Sequence, residues 1–290
     1  MSLIALIIGA LMIGSIYSIV GMGYCMIYKS SGLMNLAQGD FLMIGAYIGI
    51  TFYKILKLPY GTAVILTIMV MFLLGLVIQR SFIVPLLSKG GVFANVILCT
   101  SAVSLALQNG ARLIWGPVEI KFPSVFDVHF VKIFGNSVAP ESLLVLLFSF
   151  AGTISLYIFL NKTKYGTAMR AEAMDPLAAS SVGINVPHTR AVAWGISAAI
   201  CGLIGVAIGP VYGVFLTMGA IYTQKGFGAA VLGGYGNLIG ALVGGLIYGF
   251  LETFVTAFVT STFKDVIVFG VLIISLTFMP TGIFREPVIE

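Results

Sequence analysis

Charge is scarce in this chain: of 290 residues only 9% are Asp, Glu, Lys or Arg. A soluble domain carries about 25%, so this sequence cannot cover a compact surface with polar groups, and a soluble globular enzyme is excluded. Histidine is almost missing, with His129 and His188 alone, both in connecting stretches. Cysteine is limited to Cys25, Cys99 and Cys201, each inside an apolar run and none in a C-x-x-C or metal-ligand spacing. They read as small core residues, and neither a disulfide framework nor a metal site is expected. No G-x-x-x-x-G-K-[ST] run occurs, so the chain has no phosphate loop of its own. Neither H-E-x-x-H nor a Ser/His/Asp set is present, so no catalytic residues and no cofactor are expected. The net charge of +5 comes from basic residues scattered singly. No cluster could follow a phosphate backbone, so nucleic acid is not an expected partner, and the excess reads as loop charge that orients a membrane protein.

Apolar length is what the chain has. Hydrophobic residues make up 59% of it, and about 20 apolar residues suffice for one membrane-crossing helix. Stretches of that kind cover 3–27, 40–56, 62–79, 94–115, 142–160, 191–212, 238–260 and 266–279. A ninth, 217–233, contains Gln224 and Lys225 and reads as a poor span or a broken, re-entrant one. The expected fold is an all-α polytopic membrane protein, one domain over 1–290, with about eight or nine membrane helices, some of them broken. Residues 1–9 lack a basic n-region and run straight into a long span, so no cleaved signal peptide is expected.

Two connections are long. In 116–140, alternation over 118–122 and 127–132 predicts a small β-hairpin outside the bilayer. The other, 161–190, carries the densest set of positive charge: Lys162, Lys164, Arg170 and Arg190. Basic loops stay on the cytoplasmic side, which puts Lys29, Arg80 and Lys89 inside with them. Lys54, Lys57, Lys121 and Lys132 then lie outside, as does the N-terminus. If 217–233 crosses, Lys264 is outside and Arg285, with the C-terminus, is cytoplasmic.

Glycine recurs at helical spacing: Gly205, Gly209 and Gly213, then Gly236, Gly240 and Gly244, then Gly245 and Gly249. Such small faces allow close helix packing in lipid, and glycine-interrupted helices at membrane depth also line cavities. The stretch 43–47 weakly resembles 231–235, each following a polar break, which leaves an internal repeat and chance both open. Charge inside the membrane costs about 2.5–3.5 kcal/mol per residue on insertion scales. Asp40, Lys225 and Glu252 are therefore candidates for an internal ion pair or a path, with Asp40 also suited to start a helix at the positive end of its dipole. Asn35, Gln38 and Gln224 complete the intramembrane polar set, and helix-end N–H groups near 35–40 and 224–228 could donate to a carboxylate.

The 161–190 connection has a legible local signal. Asp175 can cap a helix whose first residue is Pro176, where the missing N–H costs nothing. Gly183 fits just past its end. A helix over 176–182 follows, too short to be stable alone in water, so it must pack on its own bundle or on a partner.

The run 32–47 (GLMNLAQGDFLMIGAY) resembles the N-terminal signature of the LivH/LivM permeases. These are membrane subunits of ABC importers for branched-chain and other hydrophobic amino acids. The family usually has His where this chain has Gln38, a departure that bears on substrate choice. Arg170, Ala171, Asp175, Ala178, Ala179 and Gly183 to Asn185 match its coupling loop. Lys225 to Gly236 with Gly240 to Gly245, and then Lys264 to Val266 with Met279 to Ile283, match its C-terminal half. The LivH-type subunit is the more similar by length. The resemblance implies a bacterial inner-membrane permease with no ATPase activity of its own. It implies as partners a second permease subunit (LivM-like or a copy of this chain), two cytoplasmic ATPase subunits and an extracytoplasmic binding protein. Coupling would fall to Arg170, Glu172, Asp175, Pro176, Leu177, Ala178, Ala179, Val182 and Gly183. The ending lacks the full EAA pattern of other importers. A related importer for urea or short amides, and a secondary transporter using Asp40 and Glu252, are the alternative readings.

Overall fold

Helices built from uninterrupted apolar runs form almost the whole molecule. The computed structural model describes residues 3–88, 93–126, 130–133 and 136–284. Lys89, Asp127, His129 and Arg285, used in the sequence reading, lie outside the described residues. Among the described residues, six helices are long and apolar enough to cross a membrane. They are α1 (Leu3–Ser31), the rod Tyr60–Ser88, α5 (Phe93–Trp115), α6 (Pro140–Lys162), α9 (Val186–Tyr212) and α11 (Leu238–Phe258). The rod is α3 (Tyr60–Ile78), a π-helical turn over Gln79–Ile83, and α4 (Val84–Ser88). Its wider turn lies where Pro85 would otherwise crowd the carbonyl of Ser81.

Three apolar helices are shorter than a full crossing: α2 (Gln38–Ile50), extended by a π turn over Thr51–Ile55, α10 (Met218–Gly233) and α12 (Lys264–Phe278). The expected break in the 217–233 stretch is not observed. α10 is continuous, because Gln and Lys are good helix formers; Gln224 is exposed and Lys225 is buried. Two further helices fill the 161–190 connection, α7 (Lys164–Met174) and α8 (Pro176–Ser181).

The segment 118–122 does not become a strand of a local hairpin. Its Ile120 exchanges backbone hydrogen bonds with Val214 (2.9 and 3.0 Å), which ties the 116–140 connection to the end of α9. Short strands β1 (Val131–Ile133) and β2 (Asn136–Val138) pair antiparallel, Val131 opposite Val138.

α9 runs through the middle, packed by α1, α2, α3 and α6. Trp194, Cys201 and Ile204 on it have no exposure at all. Lipid provides little hydrophobic drive between helices, so contact depends on backbones coming close. Gly45 of α2 faces the Cα of Gly202 on α9, where a Cβ would overlap backbone. The seam between α1 and α11 is similar: Gly14 lies on the backbone of Gly245, Leu246 and Gly249, and Gly245 on Ser18. Most of the glycines seen at helical spacing are packing positions, whereas Gly213 and Gly236 lie past helix ends at φ +75° and +102°. The two stretches of the weak echo sit differently on their helices: Met43 to Tyr47 lies within α2, while Val231 to Tyr235 runs off the end of α10 at Gly234.

Candidate functional site

Two regions carry the candidate residues: the connection between α6 and α9, and polar clusters inside the bundle. In the connection, each short helix is closed by its own side chains. Thr163 caps α7, accepting from the Gly166 N–H at 3.1 Å. Asp175 ends α7 and starts α8: its Oδ1 accepts from the N–H of Leu177 at 2.8 Å and of Ala178 at 3.0 Å. Pro176 occupies the first turn. At the far end the Gly183 N–H donates to Ser180 O (3.0 Å) and the Ile184 N–H to Ala179 O (3.1 Å). This paired closure requires the left-handed backbone that Gly183 adopts at φ +88°. Asn185 then caps α9, accepting from His188 N–H. The helix expected over 176–182 ends at Ser181, with Val182 as its cap.

α8 rests on the bundle through Ala179 alone among its residues. Leu177 is 80% exposed, Val182 78% and Met174, just before it, 84%. Among the described residues nothing covers these apolar side chains, which stand exposed on an otherwise polar connection. Arg170 is half-buried and reaches Asn161 and Thr167. Glu172 differs from the other coupling candidates: it faces inward, 1% exposed, and accepts from the Arg190 guanidinium at 2.5 Å. Burial pushes its carboxyl above the usual range, and Arg190 offsets part of that rise. The pair pins α7 to the base of α9.

Inside the bundle, Asn35, Gln38 and Asp40 have no exposure. Gln38 donates to Ser197 Oγ (2.8 Å) and Cys201 Sγ (3.0 Å) on α9, and its Oε1 accepts from Asn35. The N–H groups here are also taken: Ala37 by Asn35 Oδ1, Leu36 by Thr100 Oγ1 and Gly39 by Thr223 Oγ1. The 35–40 stretch therefore ties α2 to α5, α9 and α10 and has most of its N–H groups engaged, while 224–228 lies inside a continuous helix rather than at a helix end. Asp40 accepts from Gln108 Nε2 of α5 at 3.0 Å, and the expected pairing of Lys225 with Asp40 is not the one that forms.

Lys225 pairs with Glu252 instead, at 2.5 Å. Two further ions complete the group at the start of α12: Lys264 lies 2.9 Å from Glu252, and Asp265 lies 3.2 Å from Lys225. Tyr17 of α1 donates its hydroxyl to Glu252 at 2.6 Å and sets its ring under the Lys225 ammonium, 5.6 Å from the ring centre. Removing one partner of a buried pair strands the other charge, at a cost of about 3–5 kcal/mol. The side chains of Lys225 and Glu252 are 8% and 5% exposed, whereas those of Lys264 and Asp265 are 35% and 56% exposed.

Of the six intramembrane candidates, the structure brings together Asn35 with Gln38, and Lys225 with Glu252; Gln224 stands apart on an exposed face. Sequence reasoning missed Tyr17, Gln108, Ser197, Thr223 and Asp265 as partners. Gln108 gave a signal, as a polar side chain within an apolar span. Tyr17 and Ser197 gave none, because both are ordinary in membrane helices.

The family model described as "Branched-chain amino acid transport system / permease component" matches residues 6–276. The chain belongs to this family. The permease LivH of the high-affinity branched-chain amino acid transport system of Salmonella typhimurium is 31% identical, over 96% of this chain and 94% of its own length. The permease BraD of Pseudomonas aeruginosa is also 31% identical, over 98% and 96%. The LivM permease of Salmonella typhimurium is 27% identical over 77% of this chain and 57% of its own length. Among solved structures, PsaBC from Streptococcus pneumoniae in complex with Fab superposes with a TM-score of 0.50 at 14% identity, covering 94% of this chain and 90% of that one. That likeness concerns the fold.

Proposed function

We propose that this chain is a permease subunit of an importer for branched-chain or related hydrophobic amino acids. It forms the membrane path with a second permease subunit and is driven by ATPases that dock on α8 from the cytoplasm. The observation that carries the reading is the capped, outward-facing α8, with Leu177 and Val182 about four-fifths exposed beside Met174. A patch of this kind suits a helix-in-groove contact, in which apolar anchors fill a partner's cleft. A binding protein would approach the opposite end, near the 116–140 connection, and the N-terminus would lie on that side. If the three short helices α2, α10 and α12 also cross, the described residues would hold nine membrane helices. Strands β1 and β2 would form the external hairpin.

The relatives named above belong to branched-chain amino acid systems, which does not favour the urea or amide alternative, and Glu252 is engaged by two lysines rather than free to carry an ion. The test is Leu177→Asp in the complete importer. A docking helix predicts that the chain still inserts while ATPase subunits no longer co-purify and leucine uptake falls at least tenfold. Unchanged co-purification and uptake would remove α8 from the coupling path.

A further inference from the structure

We propose that the cavity beside the Lys225–Glu252 pair is a transient binding site for a zwitterionic amino acid with an aliphatic side chain, an inference that rests on the transport reading above. The cavity measures about 230 Å³ and lies where α1, α10 and α11 meet the end of α9 and the start of α12. This is below the roughly 300–1,000 Å³ of drug-sized pockets, a size for a small metabolite.

Its lining divides into two chemistries. Lys225, Glu252 and Lys264 form one part of the wall, while Ile13, Ile16 and Phe215 are apolar. With Asp265, the charged part contains two ammonium groups and two carboxylates within 3.2 Å of their partners, a balance of zero. A zwitterion also sums to zero. Its carboxylate can take the place of Glu252 beside Lys264, and its ammonium can take the place of Lys264 beside Glu252. One exposed-side ion pair is exchanged for two, so the gain is small and the solute is released again. A solute with net charge would leave an unbalanced ion in a site of low dielectric, where the cost is several kcal/mol. An aliphatic side chain finds an apolar surface against Ile13, Ile16 and Phe215, while the tyrosines Tyr212 and Tyr222 complete the wall.

Access follows from the same geometry. Lys264 and Asp265 are the partly exposed members, whereas Lys225 and Glu252 are buried behind them. Lys264 is therefore the group that can swing aside at the mouth, while Lys225, held over Tyr17, stays paired with Glu252 at the base.

The experiment uses the complete importer in proteoliposomes, with binding protein in excess and radiolabelled L-leucine as the probe. Uptake is expressed per assembled complex, counted by the subunits that co-purify. Ile13→Trp fills the cavity and leaves every charge in place; uptake per complex is expected to fall at least tenfold. Lys264→Met removes the mouth cation at a partly exposed position and is expected to have a similar effect, so the test stands if the tryptophan variant does not assemble. A merely structural cluster would lower the amount of Lys264→Met complex without changing uptake per complex, and that result would overturn the inference. So would an Ile13→Trp complex that keeps half or more of wild-type uptake. Wild-type complexes that take up no leucine would overturn the transport reading and this inference together, whereas wild-type uptake with unimpaired variants overturns the inference alone.

Discussion

Removing both ends of α8 in the double variant Asp175→Ala/Gly183→Ala measures what holds the docking helix in place. Asp175 satisfies two of the first free N–H groups, at 2.8 and 3.0 Å, and losing such a cap costs about 1 kcal/mol. Gly183 sits at φ +88°, where a side chain costs about 1–2 kcal/mol. The two residues lie at opposite ends of the helix and share no side-chain contact, so the effects add to about 2–3 kcal/mol. α8 has only six residues and one buried anchor, Ala179. Tertiary contacts cannot make up the loss, and at about 1.4 kcal/mol per tenfold its population relative to the open form falls roughly 30- to 150-fold. Amide hydrogen exchange reads this without any partner. The N–H groups of Ala179, Val182, Gly183 and Ile184, all bonded within the turn, should exchange faster by that factor, while the amides of α9 keep wild-type rates. Protection of residues 179–184 that is unchanged in the double variant would refute the claim that the two caps create the helix.

Two further outcomes follow from packing and charge. Gly245→Ala puts a Cβ onto the backbone of Ser18 and should cost about 1–3 kcal/mol of stability, whereas Gly9→Ala, with nothing near its Cβ, should be neutral; melting in detergent compares the two. Glu172 has a raised carboxyl pKa because of its burial, so the folded state holds that proton more tightly than the unfolded chain does. Its contribution is present in full below the ordinary carboxylate range and fades as pH rises through the higher folded value. Stability should therefore fall from acid toward neutral pH, and Glu172→Gln should flatten that slope; equal slopes in melts run from about pH 4.5 to about 7.5, upward from the ordinary carboxylate range, would count against it.

Much of the architecture was legible because lipid leaves few choices. Backbone groups in hydrocarbon must bond within their own segment, so every long apolar run had to be a helix, and the six long ones follow the runs closely. Local caps were legible as well: Asp175, Pro176 and Gly183 are decided by residues within one turn of each other. α7 was missed because Lys164 to Met174 has polar residues on no clear period, and its stability derives from Glu172 meeting Arg190, eighteen positions away. The alternation in 118–122 was real, but its partner was Val214 rather than a neighbouring stretch.

The polar clusters mark where that legibility ends. Scarcity made Asp40, Lys225 and Glu252 conspicuous, since each charge in an apolar run needs a compensating group. Which group compensates depends on how helices far apart in sequence cross, and that is set by glycine. Gly14, Gly245 and Gly249 draw α1 against α11, and this seam brings the Tyr17 hydroxyl within 2.6 Å of Glu252. The approach of α10 to the same pair of helices, with Gly226 on Val20 and Gly244 on Ala229, sets Lys225 beside that carboxylate and away from Asp40, which α5 satisfies through Gln108. The glycines that looked like packing residues and the charges that looked like function are thus one device: the uncharged seam decides which ions meet, and a larger residue in the seam would separate the pair before it disturbed either helix.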